Sequence, residues 1–505
     1  MLKLFGGNKP DHPMAELKDA KRLLGEVPSG DAFKAVEELT HWLESAREAE
    51  GFKPEYRAQL VQLIDDAAQV HVRKLQRDYI GNPRLSKFQE HKLWSAVHAY
   101  WNSSALAFIA CLDLFTSGVK GADALKGSLP LLVVRALRAL AAQIKWQYLR
   151  YGPFDNSRWG EVAKVYALAE SRKIASTNVA IHAGLPGESS AEQEFLRAAM
   201  LSASSPDALL PVEIELAERL IAHVSSSFKL ALDQQPDIAY WIDLATDHPP
   251  LRLARPPQHA PTLRFFAAGK AAHEIAQLID AITASHAVPA SLGLGTTYEP
   301  EVVLEVLRHL ALYWSPKPPE RKHPRHRVKS RLNVAPGFDG VMAVHNPAAT
   351  LDFDHNRVEA WIIDDVSAGG FGASIPHIKG EWLKIGCLVG LQPEGGSNWV
   401  IGLIRRLNRE APLKGSVGIQ TLARAAAVVS LRAQDGEAIE AVLLNPSADA
   451  VEAQLLAKSG LFAPGQQYGF AHGDKEFMLM SLAVQERGED YDLLRGRLMV
   501  RDTSE

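Results

Sequence analysis

The hydrophobic period of this chain changes once, at Ser315-Pro316-Lys317-Pro318-Pro319, and that change constrains the fold more than any other feature. Before it, apolar residues recur at three and four residues, as amphipathic helices require. Phe33, Val36, Leu39, Trp42 and Leu43 form one such stripe, behind a cap offered by Ser29-Gly30-Asp31. Tyr56, Leu60, Leu63, Ile64, Ala67 and Val70 form a second behind Pro54. Ile214, Leu216, Leu220, Ile221 and Val224 form a third behind Pro206 and Pro211. Prolines at 249, 250, 256, 257 and 261 mark a turn-rich connector, and helical signal resumes over 263–282 and 299–313. The proline run then ends it, because proline cannot continue a helix. Beyond it come short runs at 358–363, 399–404, 427–431, 441–444 and 477–484, separated by Gly, Asp, Asn and Pro. Such runs read as strands. The β region is too long for one small barrel and divides best near Ala425.

Composition excludes several classes. At 505 residues, 47% hydrophobic and 23% charged, the chain is an ordinary multidomain globular protein, not a disordered or collagen-like one. A net charge of −4 gives no global field to hold bulk nucleic acid, so any anion site must be local. Two cysteines, Cys111 and Cys387, support neither a disulfide framework nor a Cys-rich zinc site and fit a reducing cytosol. The most apolar stretch, 129–144, is interrupted by Arg135 and Arg138, which makes it a buried helix and not a membrane span. The start lacks the apolar stretch of a signal peptide. A cytoplasmic protein without membrane insertion is expected.

Two motifs carry chemistry. Between Lys317 and Arg331 stand seven basic residues (Lys317, Arg321, Lys322, Arg325, Arg327, Lys329 and Arg331) against one acid, Glu320. Arginine matters here beyond its charge, since its planar fork can clamp a phosphate, read the O6/N7 edge of guanine or stack on a base. The second motif, Asp364-Asp365-Val366-Ser367-Ala368-Gly369-Gly370, follows an apolar strand. Asp365 and Ser367, two apart, point to one side of a strand, and the glycines let a ligand lie close to the backbone. A carboxylate there can accept from the N–H groups of a guanine edge.

Arg-x-x-x-Arg at Arg321–Arg325 followed by Asp-x-Ser-x-x-Gly at Asp365–Gly370 resembles the PilZ family of cyclic-di-GMP receptors. His326-Arg327-Val328, Trp399-Val400-Ile401-Gly402-Leu403-Ile404-Arg405 and Val417-Gly418-Ile419-Gln420 are similar to further parts of that family. The resemblance covers about 318–425 only. It implies a small antiparallel β-barrel with an arginine-bearing segment that wraps the ligand. The fold expectation is therefore α + β multidomain: a large all-helical region over 1–315, with a break near 245–262, a PilZ-like β-barrel over 316–425, and a β-rich domain over 426–505. Carried over from the family, Arg321, Arg325, Asp365, Ser367 and Gly370 hold the dinucleotide; by their own chemistry, Gly369 lets the ligand near the backbone, and Arg327, Arg405 and Arg406 are candidates for further phosphate contacts. The implied ligand is cyclic di-GMP, as one molecule or as an intercalated dimer.

Other chemistry finds no support. His323 and His326 lack a matched ligand set, no HExxH or cysteine pair is present, and no metal is expected. No nucleophile, kinase or dinucleotide fingerprint occurs, so no enzyme is expected. The reading is a bacterial cyclic-di-GMP effector that relays the signal through its helical region to a protein partner. By resemblance, its process is motility, pilus function, attachment or exopolysaccharide control. The alternative is an interaction scaffold whose PilZ-like barrel does not bind nucleotide.

Overall fold

A computed structural model describes residues 10–82, 85–182, 187–320, 323–346, 358–380, 382–411, 413–433, 438–447, 450–462 and 465–501. The protein is α + β and multidomain. Its chain divides into two compact units, one drawn from residues up to Glu320, the other from Arg321 onward together with Tyr151–Pro153 and Asp207–Leu210.

The first unit is mainly helical: α1 (Leu17–Glu26), α2 (Ala32–Glu48), α3 (Pro54–Gly81), α4 (Lys87–Thr116), α5 (Leu129–Tyr148) and α6 (Ser157–Ser171) lead to a two-residue strand pair, β1 (Val179–Ala180) and β2 (Glu188–Ser189). Helices α7 (Ala191–Ala203) and α8 (Pro211–His223) follow. Local chemistry sets their starts. Asp31 accepts from the amides of Phe33 and Lys34 at 3.1 and 3.2 Å, Pro54 opens α3, and Ser86 with Gln89 forms a capping box on α4. Helix α5 is the apolar 129–144 stretch, and it is buried on most of its faces. Its Arg135 is tolerated there because Nη1 meets Asp65 at 3.2 Å, Nη2 meets Asp66 at 2.8 Å and Nε donates to the Ile181 carbonyl at 2.9 Å. Among the described residues no helix is long and apolar enough to cross a membrane.

The all-helical expectation needs one correction. Strands β3 (Lys229–Ala231), β4 (Tyr240–Asp243), β5 (Leu251–Arg252) and β6 (Leu263–Ala267) form an antiparallel sheet in the order β3-β6-β4-β5. The proline-rich connector lies inside this sheet: Pro249 and Pro250 fall between β4 and β5, and Pro256, Pro257 and Pro261 between β5 and β6. Helical signal was expected from Leu263, yet Leu263-Arg264-Phe265-Phe266-Ala267 is a strand, and a helix begins only at Ala271. The seven residues between Pro261 and Gly269 are too few to make a stable helix, and the paired phenylalanines suit a pleated, half-buried surface. Helices α9 (Ala271–Ser285) and α10 (Pro300–Trp314) complete the unit.

The second unit contains two closed antiparallel barrels. In the first, β7 (His326–Pro336), β8 (Glu359–Ser367), β9 (Gly370–Ile375), β10 (Leu388–Pro393), β11 (Val400–Ala411) and β12 (Lys414–Ala423) close in the order β10-β11-β12-β9-β8-β7, with α11 (Gly337–His345) between β7 and β8 in sequence. In the second, β13 (Ala426–Ala433), β14 (Ala438–Leu444), β15 (Glu452–Lys458), β16 (Gln467–His472), β17 (Lys475–Arg487) and β18 (Tyr491–Arg501) close in the order β13-β14-β15-β18-β17-β16. Closure leaves neither barrel with a free edge. The second barrel has its own core around Leu431, Leu455, Tyr468, Leu479 and Leu494. Another core is shared: Phe338, Val341, Leu388, Ile401, Leu403 and Ala423 of the first barrel and its helix pack with Val442, Leu444, Leu456, Tyr491 and Leu493 of the second.

Candidate functional site

The two motifs lie 40 residues apart in sequence, and one strand pairing brings them together. Strand β7 starts just after Arg325, β8 ends at Ser367, and the strands are antiparallel. His326 therefore pairs with Val366 and Arg327 with Asp365, and a register shift follows between Arg327 and Ser330. The Arg325 guanidinium lands on Asp365: Nη1 lies 2.8 Å from Oδ1 and 2.9 Å from Oδ2. Both side chains keep partial solvent access, at 34% and 25% exposure, although Asp365 Oδ1 is itself buried and accepts no hydrogen bond among the described residues.

Past Ser367 the chain turns through Ala368 and Gly369 into β9, with Ser367 paired to Gly370. The Ser367 hydroxyl donates to the Gly370 carbonyl at 3.3 Å. The turn is held from outside: the Thr421 amide donates to the Gly369 carbonyl at 3.0 Å, and Arg424 Nη2 donates to the Ala368 carbonyl at 3.1 Å. Gly370 is required by close approach, since a Cβ there would stand 1.9 Å from the Ile419 carbonyl oxygen on β12. The His323 ring lies over Gly369, where a Cβ would meet its Cδ2 at 3.2 Å.

The expected site residues fall into three groups. Arg325, Asp365, Ser367, Gly369 and Gly370 converge at one end of the first barrel, and Arg327 stands beside them, exposed, in register with Asp365. Arg321 lies outside the described residues. Arg405 is already engaged: its Nη atoms fork onto Glu486 of β17 at 2.8 and 2.7 Å, and its Nε donates to Gln420 at 2.7 Å. Gln420 in turn pairs with Gly370 across β12 and β9. Arg406 is exposed on β11.

Sequence reasoning missed two contributors. Gly372 pairs with Asp365, and a Cβ at that position would meet the Asp365 carboxylate at 2.8 Å, so glycine leaves the acid its room. The alternation Gly370-Phe371-Gly372 signals this, because residues two apart share a face. Arg424, which holds the turn, gives no signal beyond following β12. The reading also missed Asp65, Asp66 and His182, which lie close enough together to resemble a metal-ligand set. Their oxygens are committed elsewhere. Asp65 and Asp66 grip Arg135, the His182 Nδ1 lies 2.8 Å from Asp66 Oδ1, and Tyr100 and Ser104 donate to Asp65. The cluster is a buried ion-pair network between α3, α5 and the β1 segment.

Comparison with known proteins adds a second line. Residues 18–236 match the family model of the N-terminal domain of the cyclic-di-GMP receptor FimW. The match spans α1 through β3 and none of either barrel. It is to a receptor domain, not to an enzyme family. No curated protein and no solved structure matches the chain.

Proposed function

We propose that the protein is a cyclic-di-GMP receptor that binds the dinucleotide at the end of its first, PilZ-like barrel. The observation that carries this is the β7–β8 register, which sets Arg325 against Asp365 beside the Ser367–Gly370 turn. The ligand has two phosphates and two guanines. Arg321, Arg325 and Arg327 supply guanidiniums for the phosphates and the O6/N7 edges. Asp365 accepts from guanine N–H groups, Ser367 donates or accepts beside it, and Gly369 and Gly370 let the rings approach the backbone. The FimW match is independent support, because it rests on a different part of the chain and leads to the same ligand.

In this reading the helical unit carries the output by binding a protein, in motility, pilus, attachment or exopolysaccharide control. The alternative is a scaffold whose barrel binds no nucleotide. It draws on the Arg325–Asp365 ion pair, in which the two groups already engage each other without a ligand. Calorimetric titration of the full chain with cyclic di-GMP separates the two. Saturable binding lost in Arg325→Ala supports the receptor, and no heat of binding sinks it.

A further inference from the structure

Arginines approach the Ser367–Gly370 turn from two sides. Around this part of the first barrel the strands run in the order β12-β9-β8-β7. Arg325 and Arg327 stand on the β7 side, the one in contact with Asp365 and the other in register with it. Arg424 follows the end of β12 and comes from the opposite side, where its Nη2 donates to the Ala368 carbonyl at 3.1 Å. Neighbouring strands lie about 4.8 Å apart, so three spacings, roughly 14 Å of backbone, separate the two approaches.

Arg424 is exposed. It has no carboxylate partner among the described residues, and the Ala368 carbonyl engages one of its five N–H groups. Most of this guanidinium is a cation without an anion. Its backbone is nevertheless fixed. Asn445, which follows β14 of the second barrel, accepts from the Arg424 and Ala425 amides through Oδ1 at 3.0 and 3.4 Å. Its own amide donates to the Ala425 carbonyl at 2.7 Å. Asn445 has a φ of 44°, a left-handed conformation in which asparagine is enriched.

A cyclic dinucleotide carries its two phosphates on opposite sides of its ring. Cations on the β7 side alone pair with one of them. Arg405, on β11, is already held by Glu486 and Gln420. We propose that Arg424 is a further ligand-binding residue, which takes the phosphate that Arg325 and Arg327 do not reach. This rests on the reading of the turn as part of a cyclic-di-GMP site. A guanidinium can keep the Ala368 carbonyl on one N–H and fork two others onto phosphate oxygens. Through Asn445 the second barrel then helps to build the site.

The test titrates the full-length chain with cyclic di-GMP by calorimetry at fixed ionic strength. Arg424→Gln should weaken binding about 10-fold or more, as the loss of a hydrogen bond to a charged group does. Arg424→Lys keeps the charge and should fall between Arg424→Gln and wild type. A loosened turn would also lower affinity, so phosphorus NMR of the saturated complexes separates contact from support. In Arg424→Gln at least one bound phosphorus resonance should move and at least one other should stay. Wild-type affinity in Arg424→Gln overturns the proposal. So does weaker binding with every bound phosphorus resonance unmoved, or a lysine variant that binds no better than the glutamine one. If wild type itself binds no cyclic di-GMP, the reading of the site falls and the proposal with it. Binding by wild type that Arg424→Gln leaves unchanged sinks the proposal alone.

Discussion

Arg325→Ala should separate binding from folding. In the free protein the Arg325–Asp365 pair is partly exposed, at 34% and 25%, and such pairs contribute less than about 1 kcal/mol to stability. For a unit of this size a loss of that order lowers the melting temperature by less than about 4 °C. Neither side chain belongs to a barrel core, so closure of the barrel survives. Binding is a different matter. A hydrogen bond to a charged group is worth about 1.5–3 kcal/mol, so affinity for cyclic di-GMP should fall roughly 10- to 150-fold. Calorimetry at fixed ionic strength measures this, with a thermal melt as the control. Asp365→Asn sharpens the result. If Asp365 only competes with the ligand for Arg325, removing its charge tightens binding; if it accepts from guanine, binding weakens by about 10-fold or more. Weakening is expected. Unchanged affinity in Arg325→Ala with intact melting would refute the assignment of this arginine to the ligand.

Gly372→Val would place a methyl-bearing Cβ against the Asp365 carboxylate, so affinity should drop with Asp365 while overpacking costs about 1–3 kcal/mol in the melt. Cyclic di-AMP should compete poorly, because it leaves the groups that meet a guanine edge unpaired; full competition would mean that the site reads only phosphate charge. Acid should destabilise the helical unit. Burial opposes ionisation of Glu218, but Lys145 and Arg197 outweigh it and hold its carboxyl below the ordinary range. A depressed carboxyl contributes stability above its unfolded value, about 4.3, and that stability is lost as pH falls further, so the melting temperature should fall below about pH 4. Finally, burial pushes the Cys111 thiol up to about 12 and the Cys387 thiol up to about 11, so neither should react with a thiol reagent in the native protein at mildly alkaline pH. Fast native labelling of Cys111 would contradict its burial.

Local rules made much of the fold legible. The period change at the proline run, the cap at Asp31, Pro54 opening α3 and the runs that became β8, β11, β13, β14 and β17 all depend on neighbours within a few residues. The motif residues were legible because polar groups and glycines at strand ends stand out against apolar runs. Their mutual arrangement was not. Arg325 meets Asp365 only through a pairing whose register shifts after Arg327. Arg405 looked available for phosphate because its partner, Glu486, lies 81 residues away on another barrel. The sheet over 229–267 was missed because strands of two to five residues are too short to establish a period. The Arg135 network escaped notice because its acids come from α3 and its histidine from beyond α6.

The core shared by the barrels bears on how the protein can be cut. From the sequence, Ala425 looks like a seam, with β12 ending at Ala423 and β13 starting at Ala426. A fragment that stops there would strip Leu388, Ile401 and Leu403 of Val442, Leu444, Leu456, Tyr491 and Leu493, baring leucine and isoleucine to water. It would also remove Glu486 from Arg405, and Asp490, whose carboxylate accepts from the Phe338 amide at 2.6 Å. The first barrel is therefore not a cassette that can be excised or transplanted alone. A minimal soluble fragment must keep the terminal strands, and a deletion of the last strands should register as loss of ligand affinity although none of them reaches the Arg325–Asp365 pair.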